Sequence, residues 1–273
     1  MSSDEIRALL CIFQICMSLF IIVHLIRRGS HSKYSIVTVF FIYGIVCLLL
    51  SDTYWLVHGL LRSDNRIPFS VNEIGEMGTD LLFASMLGAV FKGRFAKPGL
   101  ETLLTALFML AATALWIGWT GEWVKDILSG IVFGFFACST VRALKCSGAL
   151  SKTERRLLPV LAFLLAAMQG MTFAFPGTVG KIFDILCYVL MFAVIVLLLP
   201  KTVKAVRKAF AGRDTETSLQ CAALSFFSFA WTLNTMYMSS EPMYYVAWSV
   251  STLLLPVMMF SMYTVESEGV AGK

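Results

Sequence analysis

Long apolar segments separated by short polar linkers fill almost the whole of this chain. Nine segments, each close to the roughly 20 residues that an α-helix needs to cross a bilayer core, follow one another along its 273 residues. Their bounds are Ile6–Ile26, Tyr34–Leu56, Asn72–Phe91, Leu100–Trp119, Trp123–Ala143, Glu154–Phe175, Val179–Leu199, Ser218–Met238 and Met243–Val265. The pattern predicts an all-α fold, in which residues 1–273 form one polytopic membrane domain of nine transmembrane helices.

The composition excludes most soluble classes of protein. Hydrophobic residues make up 58% of the chain and charged residues 14%, against about 45–50% and about 25% in an average soluble domain. The mean hydropathy is +0.78, so a soluble globule of this chain would have too few charges to cover its surface. The basic residues lie in short linkers rather than on one face, and we therefore expect no nucleic-acid partner. We expect an integral protein of the plasma (cytoplasmic) membrane, with the lipid bilayer as its first partner.

The basic residues also predict an orientation. The linkers after the first, third, fifth and seventh segments carry 16 Lys and Arg residues, and the linkers after the second, fourth, sixth and eighth carry four. Positive residues collect in cytoplasmic loops. The sequence therefore predicts an N-terminus outside and a C-terminus inside. Without the third segment, the linkers that carry Arg62 and Lys97 would merge, and this alternation would break.

The third segment carries the most informative polar pattern. Glu73, Glu76 and Asp80 fall within an arc of about 60° on a helix, since successive residues are about 100° apart. Gly75 and Gly78 lie on the other side, where small residues allow a neighbouring helix to pack closely. Carboxylates within a membrane helix are costly and mark functional sites by default. A capping box of Ser70 with Glu73 is the local alternative for Glu73, and Glu76 could reach the outer interface.

Other polar and aromatic residues join this stripe at the outer side. Asp52, Tyr54 and Trp55 lie at the outer end of the second segment, and Asp184 lies in the outer third of the seventh. All six tryptophans map to the outer half of the predicted bundle. Acids combined with aromatic faces suit a cation, above all an organic ammonium. The sequence predicts an outward-facing pocket that binds, transports or senses a small cationic solute. Its predicted ligand-binding residues are Asp52, Tyr54, Trp55, Glu73, Glu76, Asp80 and Asp184.

Two further functions stay open. Asp52, Asp80 and Asp184 leave an intramembrane lipid hydrolase possible, and a purely structural membrane subunit is the simplest reading. The chain contains no GxSxG, HExxH, Walker A or GxGxxG signature, which favours a binding protein over an enzyme and leaves the catalytic residues unknown. We expect no metal and no cofactor. The three histidines do not supply an intramembrane zinc site, since His31 lies in an inner linker.

The linker Pro200–Ser218 is strongly basic. Lys201, Lys204, Arg207 and Lys208 predict a helical extension along the inner surface. Attraction to anionic lipid, about 1 kcal/mol for each charge near the surface, explains such a segment. A docking site for a cytosolic partner is the alternative.

The topology can be tested with fusions to a reporter that is active only outside the cytoplasm. A fusion after Lys181 should give a signal, and fusions after Arg213 or Lys273 should give none, because positive residues collect on the cytoplasmic side. A signal at Lys273 would contradict nine crossings with the N-terminus outside.

Overall fold

The computed structural model of the chain describes residues 3–29, 35–61, 71–95, 98–175, 177–211, 215–237 and 241–267. Within these ranges the chain forms nine α-helices and no strand. The helices are α1 (Ser3–Gly29), α2 (Ile36–Leu61), α3 (Val71–Val90), α4 (Leu100–Thr120), α5 (Trp123–Ser147), α6 (Lys152–Ala174), α7 (Thr178–Ala211), α8 (Thr215–Tyr237) and α9 (Glu241–Ser267).

Each of these helices overlaps one predicted segment, which confirms the all-helical architecture. Seven of them, α1, α2, α4, α5, α6, α7 and α9, are long and apolar enough to cross a membrane. The two others, α3 and α8, are more polar, because α3 carries three acids and α8 is rich in Ser and Thr. Nine crossings and the predicted orientation therefore stay predictions.

Helix α3 runs along the bundle between α2 and α5. At its start, the carbonyl of Asn72 accepts a hydrogen bond of 3.0 Å from Ser51 Oγ in the second half of α2. Just beyond its end, the carbonyl of Arg94 accepts a hydrogen bond of 3.1 Å from Cys146 Sγ in the last turn of α5. A helix of 20 residues extends for about 30 Å, which matches the thickness of the hydrocarbon core. The length of α3 is thus sufficient for a crossing, although its acids keep it out of the seven apolar helices.

Helix α8 is the most enclosed element. It contacts α5, α7 and α9, and all but one of residues 217–235 are buried. Ser225 Oγ lies 3.1 Å from Ser261 Oγ of α9, and other hydroxyls of the same helix donate to carbonyls one turn back. Because other helices rather than lipid surround α8, its polar residues need partners only within the protein.

Aromatic packing at the centre of the bundle joins four helices around Phe83 of α3. The ring of Phe83 lies 5.5 Å from Phe41 of α2, 5.4 Å from Phe226 of α8, 5.9 Å from Phe229 of α8 and 6.1 Å from Phe136 of α5, measured between ring centroids. All five side chains are buried, with at most 1% of their surface exposed. Edge-to-face and offset pairs of this kind contribute about 0.5–1.5 kcal/mol each beyond the burial of their area. We call these five residues the phenylalanine cluster.

Glycines bring α2 and α3 close together. A Cβ atom on Gly75 would lie 2.9 Å from the carbonyl oxygen of Cys47 on α2, and one on Gly78 would lie 3.2 Å from Cys47 Sγ. The prediction that these two glycines pack against a neighbouring helix is therefore confirmed, and the neighbour is α2. On α2 itself, a Cβ on Gly44 would lie 2.5 Å from Cε1 of Phe83.

The prediction that a linker begins at Pro200 is wrong, because α7 continues through Pro200 to Ala211. Proline removes one backbone donor, a loss that membrane helices tolerate when neighbours and side chains compensate. The predicted basic extension is thus a continuation of α7. Lys201 in this extension pairs with Glu154 of α6 at 3.0 Å, whereas Lys204, Arg207 and Lys208 are exposed. Binding of lipid or of a cytosolic partner by these residues stays a prediction.

Substituting Gly44 tests the close packing of the Phe83 ring against α2. Gly44→Ala should destabilise the protein by about 1–3 kcal/mol, the usual cost of overpacking a core, because neighbours on every side hold Phe83 in place. Gly59→Ala is the matched control on the same helix, since a Cβ there meets nothing within 4 Å. Thermal unfolding of the detergent-solubilised proteins gives the comparison. Equal unfolding temperatures for the two variants would contradict this account of Phe83.

Candidate functional site

A cavity of about 260 Å³ lies at the end of the bundle that the charge pattern assigns to the outside. Its lining comes mainly from the first halves of α1, α3, α5 and α9 and from the second halves of α2, α4 and α8. Odd-numbered and even-numbered helices therefore enter the cavity from opposite directions, as in a bundle whose neighbours alternate in direction. Residues that are far apart in the sequence meet at this one end.

Five carboxylic acids line the cavity: Asp52 of α2, Glu73, Glu76 and Asp80 of α3, and Asp126 of α5. The three aspartates are 8%, 5% and 4% exposed, and the two glutamates are half-buried. The predicted acidic stripe of α3 thus faces the interior of the bundle, which avoids the cost of carboxylates in lipid. One carboxylate oxygen of Asp52 is buried without a hydrogen-bond partner among the residues that the structure describes.

Basic groups do not balance these acids within the described lining. Lys125 of α5 is the one basic residue there, and its ammonium group pairs with Glu122, which lies outside the lining. Carboxylates that share a poorly hydrated site repel one another and attract cations more strongly than they would in water. In the described part of the chain, no three His, Cys, Asp or Glu residues lie close enough together to hold a metal ion. The acids are instead distributed around the wall.

Aromatic side chains form the side of the cavity between α2 and α9. The rings of Trp55 and Trp248 meet edge to face at 6.1 Å, and Tyr244 lies 5.5 Å from Trp248. The indole Nε1 of Trp248 donates a hydrogen bond to Gln14 Oε1 of α1, and Thr252 Oγ1 donates to the same oxygen at 3.3 Å. These hydrogen bonds fix the orientation of the Trp248 ring on the cavity wall.

The phenylalanine cluster closes the inner end of the cavity. Phe229 belongs both to the cluster and to the lining, and Phe133 of the lining packs on Phe136 at 6.3 Å. Asp80 precedes Phe83 by three residues, so the two side chains project from the same face of α3. The packing of Phe83 therefore positions Asp80 directly outward of the cluster.

Two of the predicted site residues do not reach the cavity. Tyr54 is two residues from Asp52, a rotation of about 200° on a helix, and its ring lies 5.9 Å from His58 instead. Asp184 lies on α7, which contacts α6, α8 and α9, and Asp184 is absent from the cavity lining. The other five, Asp52, Trp55, Glu73, Glu76 and Asp80, line one cavity. Ser70, the partner in the alternative capping box, lies outside the described residues.

The polar residues that the structure adds to those predicted include Gln14, Asn72 and Asp126. Asp126 shares a helix face with Gly130 and Phe133, at spacings of four and seven residues, and this spacing is the signal in the sequence that points it inward. For Gln14 and Asn72 we find no such signal, because a single polar residue near the end of an apolar segment is equally compatible with the membrane interface.

Comparison of the chain with protein-family models, with curated proteins and with solved structures gives no match. The chemistry of the cavity is therefore the evidence on which its function rests. This chemistry combines five acids, an aromatic side and an apolar floor.

A double-mutant cycle tests the aromatic side of the cavity. Gln14→Leu should cost about 1–3 kcal/mol of stability, because it leaves the buried indole N–H of Trp248 without its acceptor. The same change in a Trp248→Phe background should cost less, with a coupling of about 0.5–3 kcal/mol. Thermal unfolding of the four proteins provides the measurement. Strictly additive costs would show that the two side chains do not interact.

Proposed function

We propose that this membrane protein binds a small organic cation, such as a protonated amine, in the outward-facing cavity, as the binding step of transport or sensing. The observation that carries the proposal is the excess of acids in the cavity. Five carboxylic acids from three helices face one lysine, which is already paired with Glu122. One buried oxygen of Asp52 has no hydrogen-bond partner among the described residues, and the ammonium group of a ligand would supply the missing donor.

The volume of the cavity limits the size of the ligand. About 260 Å³ is slightly below the range of roughly 300–1,000 Å³ found for pockets of drug-sized ligands. It would hold roughly eight waters at about 30 Å³ each. A ligand of a few heavy atoms fits this space, and a peptide or a lipid headgroup with its chains does not.

The aromatic side favours an ammonium ion over a bare metal cation. Trp55, Tyr244 and Trp248 stand beside the acids, and aromatic faces attract organic cations by about 0.5–2 kcal/mol each when the site is desolvated. A methylated or primary amine can contact a carboxylate on one side and a ring on the other. This combination gives the cavity two independent means of recognising the same ligand.

The intramembrane hydrolase is less well supported, because the lipid-facing groove of the bundle does not reach the acids. That groove lies between α4 and α6, and Phe133 is part of the lining of the narrow cavity behind it. Phe133 also lines the acidic cavity, so it stands between the two. A lipid substrate would have to pass this ring to reach Asp80.

Ligand-induced thermal stabilisation tests the proposal. The purified protein is titrated with ammonium, methylamine, tetramethylammonium, potassium and calcium. A bound ligand stabilises by RT ln(1 + [L]/Kd), which is about 2.7 kcal/mol at 100 Kd, so at least one amine should raise the unfolding temperature in a concentration-dependent way. Asp80→Asn keeps the shape of the side chain and removes its charge, and it should abolish this shift while the ligand-free protein stays folded.

Asp184→Asn is the matched control, because Asp184 is also an outer acid but lies away from the cavity. This variant should respond to the amine as the unmodified protein does. A panel in which no cation stabilises the protein would favour a structural role. An equal response from unmodified protein and Asp80→Asn would place binding elsewhere.

A further inference from the structure

A second recognition surface lies at the opposite end of the bundle, between α4 and α6. It is a groove of about 780 Å³ whose apolar walls include Leu104, Val160 and Phe163. Behind it, a narrow cavity of about 90 Å³ continues between α4, α5, α6 and α8. Leu104, Pro159 and Phe163 line both spaces, so the groove leads directly into the bundle.

The end of the groove at the predicted inner surface is positively charged. Lys152, Arg155 and Arg156 of α6 line it, and Glu101 of α4 is the one acid in its described lining. The carboxylate of Glu101 is already paired with Lys145 of α5 at 2.9 Å. Within the part of the chain that the structure describes, Lys152, Arg155 and Arg156 form no ion pair. Arg155 still interacts electrostatically with Glu101, but three basic residues against one acid leave the described lining positively charged.

These basic residues also occupy an unfavourable place in their helix. Lys152, Arg155 and Arg156 lie in the first turns of α6, whose start is capped by Ser151. The start of a helix carries a partial positive charge, and cations there are disfavoured. The carboxylate of Glu154 already completes the capping box at this helix start, and a further anion would interact favourably with the three basic side chains.

We propose that the groove holds an anionic phospholipid of the inner leaflet. Its phosphate lies against Lys152, Arg155 and Arg156, and one acyl chain runs past Leu104 and Phe163 toward the bundle interior. The charges select the anionic headgroup, and the apolar walls distinguish a lipid from a free phosphate ion. The site is separate from the acidic cavity and does not depend on its ligand.

The test is a titration of the purified full-length protein in mixed micelles of a neutral detergent and phosphatidylglycerol, followed by thermal unfolding. Phosphatidylglycerol should raise the unfolding temperature in proportion to its mole fraction, and phosphatidylcholine with the same chains should raise it much less. Arg155→Gln should weaken the apparent affinity about fivefold, the equivalent of one basic residue near an anionic surface. Leu104→Trp keeps the charges but fills the groove, and it should also weaken binding.

Arg207→Gln is the matched control. It removes one basic residue from the exposed end of α7, outside the groove, and should leave the affinity within about twofold of the unmodified protein. Equal losses for Arg155→Gln and Arg207→Gln would overturn the site in favour of general attraction to a charged surface. Equal stabilisation by phosphatidylcholine, or by inorganic phosphate alone, would also overturn it. If Arg155→Gln fails to fold, the response of Leu104→Trp still decides whether a chain occupies the groove.

Discussion

The packing of the Phe83 ring among α2, α5 and α8 is the interaction on which the rest of this structure depends. This ring fills the space that Gly44 leaves open on α2. The same ring packs on Phe136 of α5 and Phe226 of α8. Because Phe83 is fully buried, α3 cannot rotate or slide without breaking these contacts. Asp80 and Glu76 lie on the same helix one and two turns away, so the packing of one apolar ring sets the position of the acids.

The lipid environment explains why the acidic residues face the interior of the bundle. An exposed carboxylate in the hydrocarbon core is costly, and a buried one without a partner is costly as well. The protein turns the acids of α3 inward, where they meet Asp52 and Asp126. This arrangement exchanges the cost of lipid contact for mutual repulsion among the acids. The cation that we propose for the cavity would relieve that repulsion and so stabilise this end of the bundle.

The two ends of the bundle carry opposite chemistry. The cavity at the end predicted to face outward is acidic and aromatic, whereas the groove between α4 and α6 ends in three basic side chains. Phe133 lines the spaces on both sides, and the phenylalanine cluster lies beside it. The proposed solute site and the proposed lipid site therefore share no charged residue.

The sequence by itself determined the helical class, the approximate bounds of the helices apart from the end of α7, and the inward direction of the α3 acids, because each follows from local hydropathy and helical periodicity. The glycines of α3 indicated that a helix packs closely there, and the structure identifies that helix as α2. Only the tertiary structure decided that Asp126 and Gln14 join the cavity and that Tyr54 and Asp184 do not. Those outcomes depend on which helices are neighbours and how each is rotated. Side-chain packing between helices far apart in the sequence, such as the rings around Phe83, fixes that rotation, and the period of a single helix does not encode it.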